Sequence, residues 1–114
     1  MMEMIDGGSM SSPPSGTVVR RELIAPPVPY VAPRTELEGQ IAGIWRDALN
    51  MDRVGIDDDF NDLGADSMLA AIIFGEIEES FGITIPMATI LVAPTIAQLA
   101  VKVAELIAAR NGTP

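Results

Sequence analysis

Apolar residues recur at helical spacing in three stretches of the chain, at about 35–50, 66–80 and 95–110. In each stretch they stand three or four positions apart, which places them on one face of a helix. The three apolar stripes are Leu37, Ile41, Ile44, Trp45 and Ala48; Leu69, Ile72, Ile73, Ile77 and Phe81; and Ile96, Leu99, Ala100, Val103 and Ile107. The pattern predicts three principal helices that pack these stripes together.

Capping signals support the ends of these helices. Residues 35–38 (Thr-Glu-Leu-Glu) and 95–98 (Thr-Ile-Ala-Gln) are capping boxes, in which the first and fourth side chains satisfy free backbone N–H groups. Pro33 and Pro94 keep the chain out of the helical conformation just before each box. Gly82 follows the second stripe, where glycine commonly ends a helix.

A long loop, about 51–65, joins the first two helices. Four apolar residues are expected to anchor it on the core: Val54, Ile56, Phe60 and Leu63. Pro86 opens a short helical turn over 87–92, and no segment alternates apolar and polar residues well enough to predict a strand. The predicted fold is therefore all-α, a four-helix bundle of three main helices and one short helix, with a long loop after the first.

The two ends of the chain differ from this helical region. Residues 1–33 are rich in glycine, serine and proline, which is typical of a flexible tail or an extended linker. A length of 114 residues allows one domain at most. We predict a tail over 1–33, a domain over 34–110 and a C-terminal tail over 111–114.

The composition excludes several classes of function. The chain has no cysteine and no histidine, which removes disulfides, thiol nucleophiles, Ser-His-Asp chemistry and histidine-bound metals. A net charge of −9 opposes nucleic-acid binding and favours docking on basic surfaces. The apolar runs are too short to cross a membrane, and the first 20 residues lack the pattern of a signal peptide. We expect a cytoplasmic monomer without a nucleic-acid or membrane partner.

Five aspartates precede the second helix and suggest a test for metal binding: Asp57, Asp58, Asp59, Asp62 and Asp66. An EF-hand loop that starts at Asp57 has Asp62 where glycine is required and Met68 where the final glutamate is required. A loop that starts at Asp59 fails because it has Leu63 at a ligand position and ends at Ala70. We therefore predict no metal ligands, and a solvated acidic loop near a helix start.

The run Leu63-Gly64-Ala65-Asp66-Ser67-Met68 stands where this acidic loop meets the second helix. Asp66 is a good N-cap, and a serine behind such a cap is ordinarily a structural residue of the first turn. Here, however, a buried loop residue, a glycine and a small residue come first, and they fix the Ser67 hydroxyl at an exposed helix tip. A phosphodiester at that position would face unpaired N–H groups and the positive end of the helix dipole.

Residues 30–110 resemble the peptidyl carrier domains of nonribosomal peptide synthetases. The shared landmarks are residues 30–38 (Tyr-Val-Ala-Pro-Arg-Thr-Glu-Leu-Glu), 44–45, 54–60, 62–64, 81–83 and 93–96. The resemblance implies that Ser67 receives a 4'-phosphopantetheine arm from coenzyme A, with Gly64 and Asp66 as the other residues of the attachment site. It also implies a non-catalytic carrier, which holds an aminoacyl or peptidyl group as a thioester.

The same resemblance implies a set of partner enzymes. A phosphopantetheinyl transferase would attach the arm, and an adenylation or other activating enzyme would load it. Condensation, tailoring or thioesterase partners would then receive the cargo. Met68, Ala71 and Ile72 are the candidate contact residues. For Ala71, ordinary surface variation is the favoured interpretation. Ile72 fits either the core or the contact face.

Two departures from the family pattern leave the cargo open. Peptidyl carriers often have Gly-His where this chain has Ala65-Asp66, and an acid before the serine is closer to the acyl carriers of fatty-acid and polyketide synthesis. Leu91-Val92 replaces an aromatic residue and an acid. An acyl carrier and an unmodified helical interaction module are therefore alternatives, whereas a metal-dependent hydrolase is disfavoured. Both a free-standing protein and a domain of a larger synthetase fit the sequence.

Overall fold

The computed structural model describes residues 18–112, in which five helices are joined by loops. They are α1 (Arg21–Ile24), α2 (Glu36–Leu49), α3 (Ser67–Phe81), α4 (Thr89–Val92) and α5 (Ile96–Gly112). Helices α2, α3 and α5 are the three predicted long helices, and α4 is the predicted short one. The all-α bundle with a long loop after its first main helix is thus confirmed, while α1 was not predicted.

The core lies where α2 packs against α3 and α5. Its most deeply buried side chains are Ile41, Trp45, Ile56, Ile73, Ile77, Ile96, Leu99 and Val103. All four predicted loop anchors are buried, and the ring of Phe60 meets Trp45 edge-on with 5.4 Å between the ring centroids. Full burial of one such side chain contributes about 1.5–3 kcal/mol, so the loop is held by the same core as the helices.

The stripe predicted for α3 is partly wrong. Ile72 is 47% exposed, whereas Ala70 and Phe74 are buried. Positions 70, 73, 74 and 77 are three or four residues apart, so they share the inward face of the helix. Apolar residues occupy both sides of α3, and only tertiary packing, chiefly against α2, decides which side faces inward.

The capping box at the start of α2 is formed differently from the prediction. The Glu38 N–H donates to Thr35 Oγ1 at 3.1 Å, as predicted. The Glu38 carboxylate, however, accepts hydrogen bonds from the backbone N–H of Arg34 at 2.8 Å and from its guanidinium at 2.7 Å. The box at α5 is reciprocal, because Gln98 N–H donates to Thr95 Oγ1 at 3.2 Å and Thr95 N–H donates to Gln98 Oε1 at 3.3 Å.

The buried carboxylate of Glu38 gives a testable dependence of stability on pH. The Arg34 guanidinium, by hydrogen bonding, holds the pKa of Glu38 below its ordinary value of 4.5. The resulting stabilisation is fully present above pH 4.5 and is lost as the pH falls through the lower folded-state pKa. As the pH falls through this range, the free energy of unfolding should decrease less in Glu38→Gln than in the unmutated protein. Urea denaturation at several pH values measures this decrease. Glu36→Gln, on the exposed side of the same turn, is the control, and an unchanged acid slope in Glu38→Gln would contradict the assignment.

Residues 18–33, which we call the strap, differ from the flexible linker that their composition predicts. Val19 forms an isolated parallel bridge with Met51, and Arg21 is only 7% exposed. Ile24 and Val31 pack against the core. The proline-rich composition still fits an extended chain, but long-range partners hold that chain on the domain. The rest of the predicted tail, residues 1–17, lies outside the described residues, as do residues 113–114.

Candidate functional site

The loop before α3 turns at Gly64. Its φ is +78°, in the left-handed region that glycine adopts without steric cost. A Cβ at this position would meet nothing within 4 Å, so the backbone angle, not the available space, requires glycine. The Gly64 N–H donates to the Asn61 carbonyl at 3.1 Å, which closes the turn. The chain leaves this turn directly into the start of α3.

Asp66 is the N-cap of α3, as the sequence predicts. Its backbone is extended, with φ −122° and ψ −178°, and its carboxylate accepts a hydrogen bond from the Leu69 N–H at 3.0 Å. Its carbonyl also accepts from Ala70 N–H at 3.0 Å, the first bond of the helix. Substituting such a cap by alanine typically costs about 1 kcal/mol. Asp66 therefore sets where α3 begins and which residue comes first in it.

Ser67 is that first residue, and it is exposed. The N–H groups in the first turn of a helix have no partner within the helix, and the helix dipole is positive there. An exposed serine beside such groups fits a covalently attached phosphodiester. Ala65, two residues earlier, is small and half-buried, so it presents little bulk to an approaching enzyme.

The chain cannot activate this hydroxyl with an imidazole. It has no histidine and no cysteine, whereas nucleophilic serines are ordinarily activated by an adjacent base such as histidine. The nearest acid in sequence, Asp66, is already engaged in capping α3 through its carboxylate. The arrangement therefore suits a serine that is modified by another protein.

Large apolar side chains are exposed on α3 and in the region of α4. On α3, Met68 is 72% exposed and Ile72 is 47% exposed, and Ala71 between them is also exposed. On α4, Leu91 is 80% exposed and Val92 is 66% exposed. The structure thus places all three candidate contact residues on the surface. The residues of α4 were singled out from the sequence only as a departure from the family pattern.

The five aspartates of the loop do not act as a group. Within residues 18–112, no three histidine, cysteine, aspartate or glutamate side chains are arranged to hold a metal ion. Asp59 accepts a hydrogen bond from Asn61 N–H at 2.7 Å, which stabilises the turn, and Asp66 caps α3.

Asp58 contradicts the prediction of a solvated loop, because it has no exposed surface. Its two carboxylate oxygens accept hydrogen bonds from Nε and Nη2 of Arg21, each at 2.6 Å. One of them also accepts from Gly55 N–H at 2.8 Å. No local signal distinguishes Asp58 from its acidic neighbours, since its partner lies 37 positions away in the chain.

Two glycines of this region give a matched pair of mutations with opposite signs. Gly64→Ala should destabilise the protein by about 1–2 kcal/mol, since an L side chain is strained in the left-handed region. Gly75→Ala should stabilise it by about 0.5–1 kcal/mol, because Gly75 lies within α3 and a Cβ there meets nothing within 4 Å. Urea denaturation of both variants checks the pair. A Gly64→Ala variant as stable as the unmutated protein, or more stable, would show that the turn at Gly64 does not need its positive φ.

Sequence comparison connects this site with known proteins. Residues 39–101 match the family described as phosphopantetheine attachment site. The chain is 40% identical over 84 residues to tyrocidine synthase 3 of Brevibacillus parabrevis, in a match that takes in 74% of this chain. It is 39% identical over 72 residues, or 63% of this chain, to indigoidine synthase of Streptomyces lavendulae. The chain spans only 1% of the length of the first synthase and 6% of the second.

Solved structures resemble the fold. A chain from the docking-domain complex of the Pax nonribosomal peptide synthetase has a TM-score of 0.68 at 32% identity, with 74% of this chain and 81% of that chain covered. A chain from the complex of the phosphopantetheine transferase Sfp with coenzyme A and a peptidyl carrier protein has a TM-score of 0.65 at 30% identity. That match covers 67% of this chain and 99% of the other. Among the described residues, no helix combines the length and apolar character needed to cross a membrane.

Proposed function

Since the chain belongs to the phosphopantetheine-attachment family and is a carrier domain of the nonribosomal peptide synthetase type, we propose that Ser67 is the residue that carries the arm. The observation that supports this assignment is the exposed hydroxyl at the first position of α3, behind the cap Asp66. Ser67 also lies within the matched residues 39–101. Gly64 and Asp66 complete the attachment site by shaping the turn and starting the helix.

The attachment is a group transfer in which the Ser67 oxygen is the acceptor. This oxygen forms a bond to a phosphorus of coenzyme A, the bond from that phosphorus to the adenosine bisphosphate breaks, and the adenosine bisphosphate leaves. The Ser67 hydroxyl proton passes to a general base, which we place on the transferase, since this chain has no histidine and the Asp66 carboxylate caps α3. Once attached, the arm supplies the thiol on which an aminoacyl or peptidyl group is held as a thioester.

The start of α3 favours the attached anion without holding it tightly. An exposed helix N-terminus stabilises a negative charge by about 0.3–1 kcal/mol. This energy is comparable to thermal energy, so the arm can leave the surface of the carrier. Tethering then raises the concentration of the cargo at a docked enzyme to roughly the millimolar range. In this proposal the chain itself catalyses no step, and its cytoplasmic location stays a prediction.

The exposed apolar residues beside the attachment site are the basis for proposing a surface that binds the partner enzymes. Met68 and Ile72 are 72% and 47% exposed, and a flexible methionine can adapt to several partner surfaces. Ala71, exposed between them, leaves space for side chains of a partner. We propose that this face receives the transferase, the activating enzyme, and condensation, tailoring or thioesterase partners in turn. The net charge of −9 favours partners with basic surfaces.

A pair of aspartate substitutions tests this face. Met68→Asp should lower kcat/KM for modification by a phosphopantetheinyl transferase about tenfold, the equivalent of 1.4 kcal/mol of lost binding. Val101→Asp is the matched control, because Val101 is 57% exposed on α5 and the change in charge is the same. An equal decrease in both variants would show that charge alone, rather than this face, governs the reaction.

The cargo is tested by offering the modified protein separately to amino-acid-activating and acyl-activating enzymes and recording the intact mass. We expect an aminoacyl thioester, as in a peptidyl carrier. If an acyl thioester formed and no aminoacyl thioester did, the protein would be an acyl carrier, the alternative favoured by the acid at position 66. Treatment with hydroxylamine should remove the cargo, since it cleaves thioesters.

A further inference from the structure

We propose that the strap positions the attachment site, with Arg21 as the positioning residue that acts through Asp58 on the loop leading to Ser67. The inference rests on the proposed role of Ser67 and adds a residue remote from it in sequence. Three features support it: the hydrogen bonds that join the strap to the loop, the buried ion pair between them, and the contacts of the loop between that ion pair and α3.

The strap is fastened to the beginning of the long loop after α2. Val19 N–H donates to the Asn50 carbonyl at 2.7 Å, and Asp52 N–H donates to the Val19 carbonyl at 2.9 Å. The Arg21 N–H donates to the Asp52 carboxylate at 2.9 Å. Further along, Ile56 N–H donates to the carbonyl of Val31 at 2.9 Å. Both ends of the strap therefore bind the loop.

The central contact between the strap and the loop is the ion pair of Arg21 with Asp58. Their side chains are 8% and 0% exposed, and the guanidinium also donates to the Val28 carbonyl at 2.8 Å. The hydrogen bonds to Asp58 raise the pKa of Arg21 above its usual value, so the guanidinium stays charged. A buried carboxylate without its cation is uncompensated in the interior, which favours its movement toward water. Arg21 thus determines whether Asp58 can remain inside.

The loop transmits the position of Asp58 to the attachment site through short connections. Phe60, two residues after Asp58, donates its N–H to the Pro94 carbonyl at 2.8 Å, and its ring packs on Trp45. Leu63 N–H donates to the Asp59 carbonyl at 3.2 Å, and the turn at Gly64 follows. An outward movement of residue 58 pulls on Phe60 and on these turns. The loop then reaches Asp66 and Ser67 along a different path.

The test compares Arg21→Met with Arg20→Met in the full chain. Arg20 is the adjacent residue, but its side chain is 63% exposed and pairs with the exposed Glu22. At low temperature, where circular dichroism shows that each variant is folded, we expect Arg21→Met to lower kcat/KM for modification by a phosphopantetheinyl transferase about tenfold. Amide NMR signals of residues 56–69 should shift in Arg21→Met and stay in place in Arg20→Met.

Arg21→Lys separates positioning from simple loss of stability. It keeps a cation opposite Asp58 but not the two-point guanidinium geometry, so its rate and amide shifts should be intermediate. If Arg21→Met does not fold, the rate and the amide shifts of Arg21→Lys test the inference instead. If the folded Arg21 variants were modified at the rate of the unmutated protein, with residues 64–69 unshifted, the inference would be overturned. Failure of the unmutated protein to be modified would instead refute the role of Ser67, while the amide shifts would still report on the strap.

Discussion

Ser67→Ala should abolish the uptake of phosphopantetheine completely. When the unmutated protein is incubated with coenzyme A and a broad-specificity phosphopantetheinyl transferase, its intact mass should rise by one phosphopantetheine. Removing the oxygen that forms the new bond leaves the transferase no acceptor at that position. Because Ser67 is exposed and Asp66, not Ser67, provides the cap of α3, the alanine variant should keep its fold and nearly all of its stability.

Ser80→Ala is the matched control for this experiment. Ser80 is the other serine of α3 and is also exposed, but it lies near the end of the helix. This variant should be modified as fully as the unmutated protein. A gain in mass that persists in Ser67→Ala would show that phosphopantetheine is attached to another hydroxyl. No gain in the unmutated protein with several active transferases would favour the unmodified interaction module.

Arg21→Met should lower the free energy of unfolding by about 3–5 kcal/mol, which is the typical cost of removing one partner from a buried ion pair. The substitution removes the cation from a carboxylate that, in the unmutated protein, is fully buried and also accepts a hydrogen bond from the Gly55 N–H. Such a loss is a large share of the roughly 5–15 kcal/mol that stabilises a typical small domain. Urea denaturation monitored by circular dichroism measures it.

A double variant and an exposed pair provide the controls for this prediction. Arg21→Met combined with Asp58→Leu removes both charges, and replacing a whole buried pair by apolar residues is often neutral or stabilising. We therefore expect the double variant to recover most of the lost stability. Arg20→Ala should cost less than about 0.5 kcal/mol, since it breaks the exposed pair with Glu22. Equal losses in Arg21→Met and Arg20→Ala would show that the strap is not held by the buried pair.

The turn and the helix start of the proposed attachment site could be predicted from sequence because their signals are local. A cap, a glycine turn and the first residue of a helix lie within a few positions of one another, so Gly64, Asp66 and Ser67 are recognisable in one short segment. The reciprocal box at Thr95 is local in the same way. The buried anchors Phe60 and Leu63 could also be inferred, because large apolar residues within a polar loop gain most from joining the core.

Two features could not be predicted, and both depend on distant parts of the chain. α3 carries apolar residues on more than one side, so its sequence allows several inward faces. Packing against α2 and the rest of the core places Ala70 and Phe74 inside and leaves Ile72 at the surface. Arg21 stands in a segment whose composition predicts a linker, and nothing near it in sequence indicates that it is buried.

The sequence by itself determined the number of main helices, most of their ends and the position of Ser67 at the start of α3, because spacing and capping act within a few residues. Only the tertiary structure decided which aspartate of the acidic loop is buried, and with which cation. A charge enters the interior only where a partner compensates its desolvation, and that partner, Arg21, is 37 positions away from Asp58. The meeting of these two residues turns a proline-rich linker into part of the folded domain.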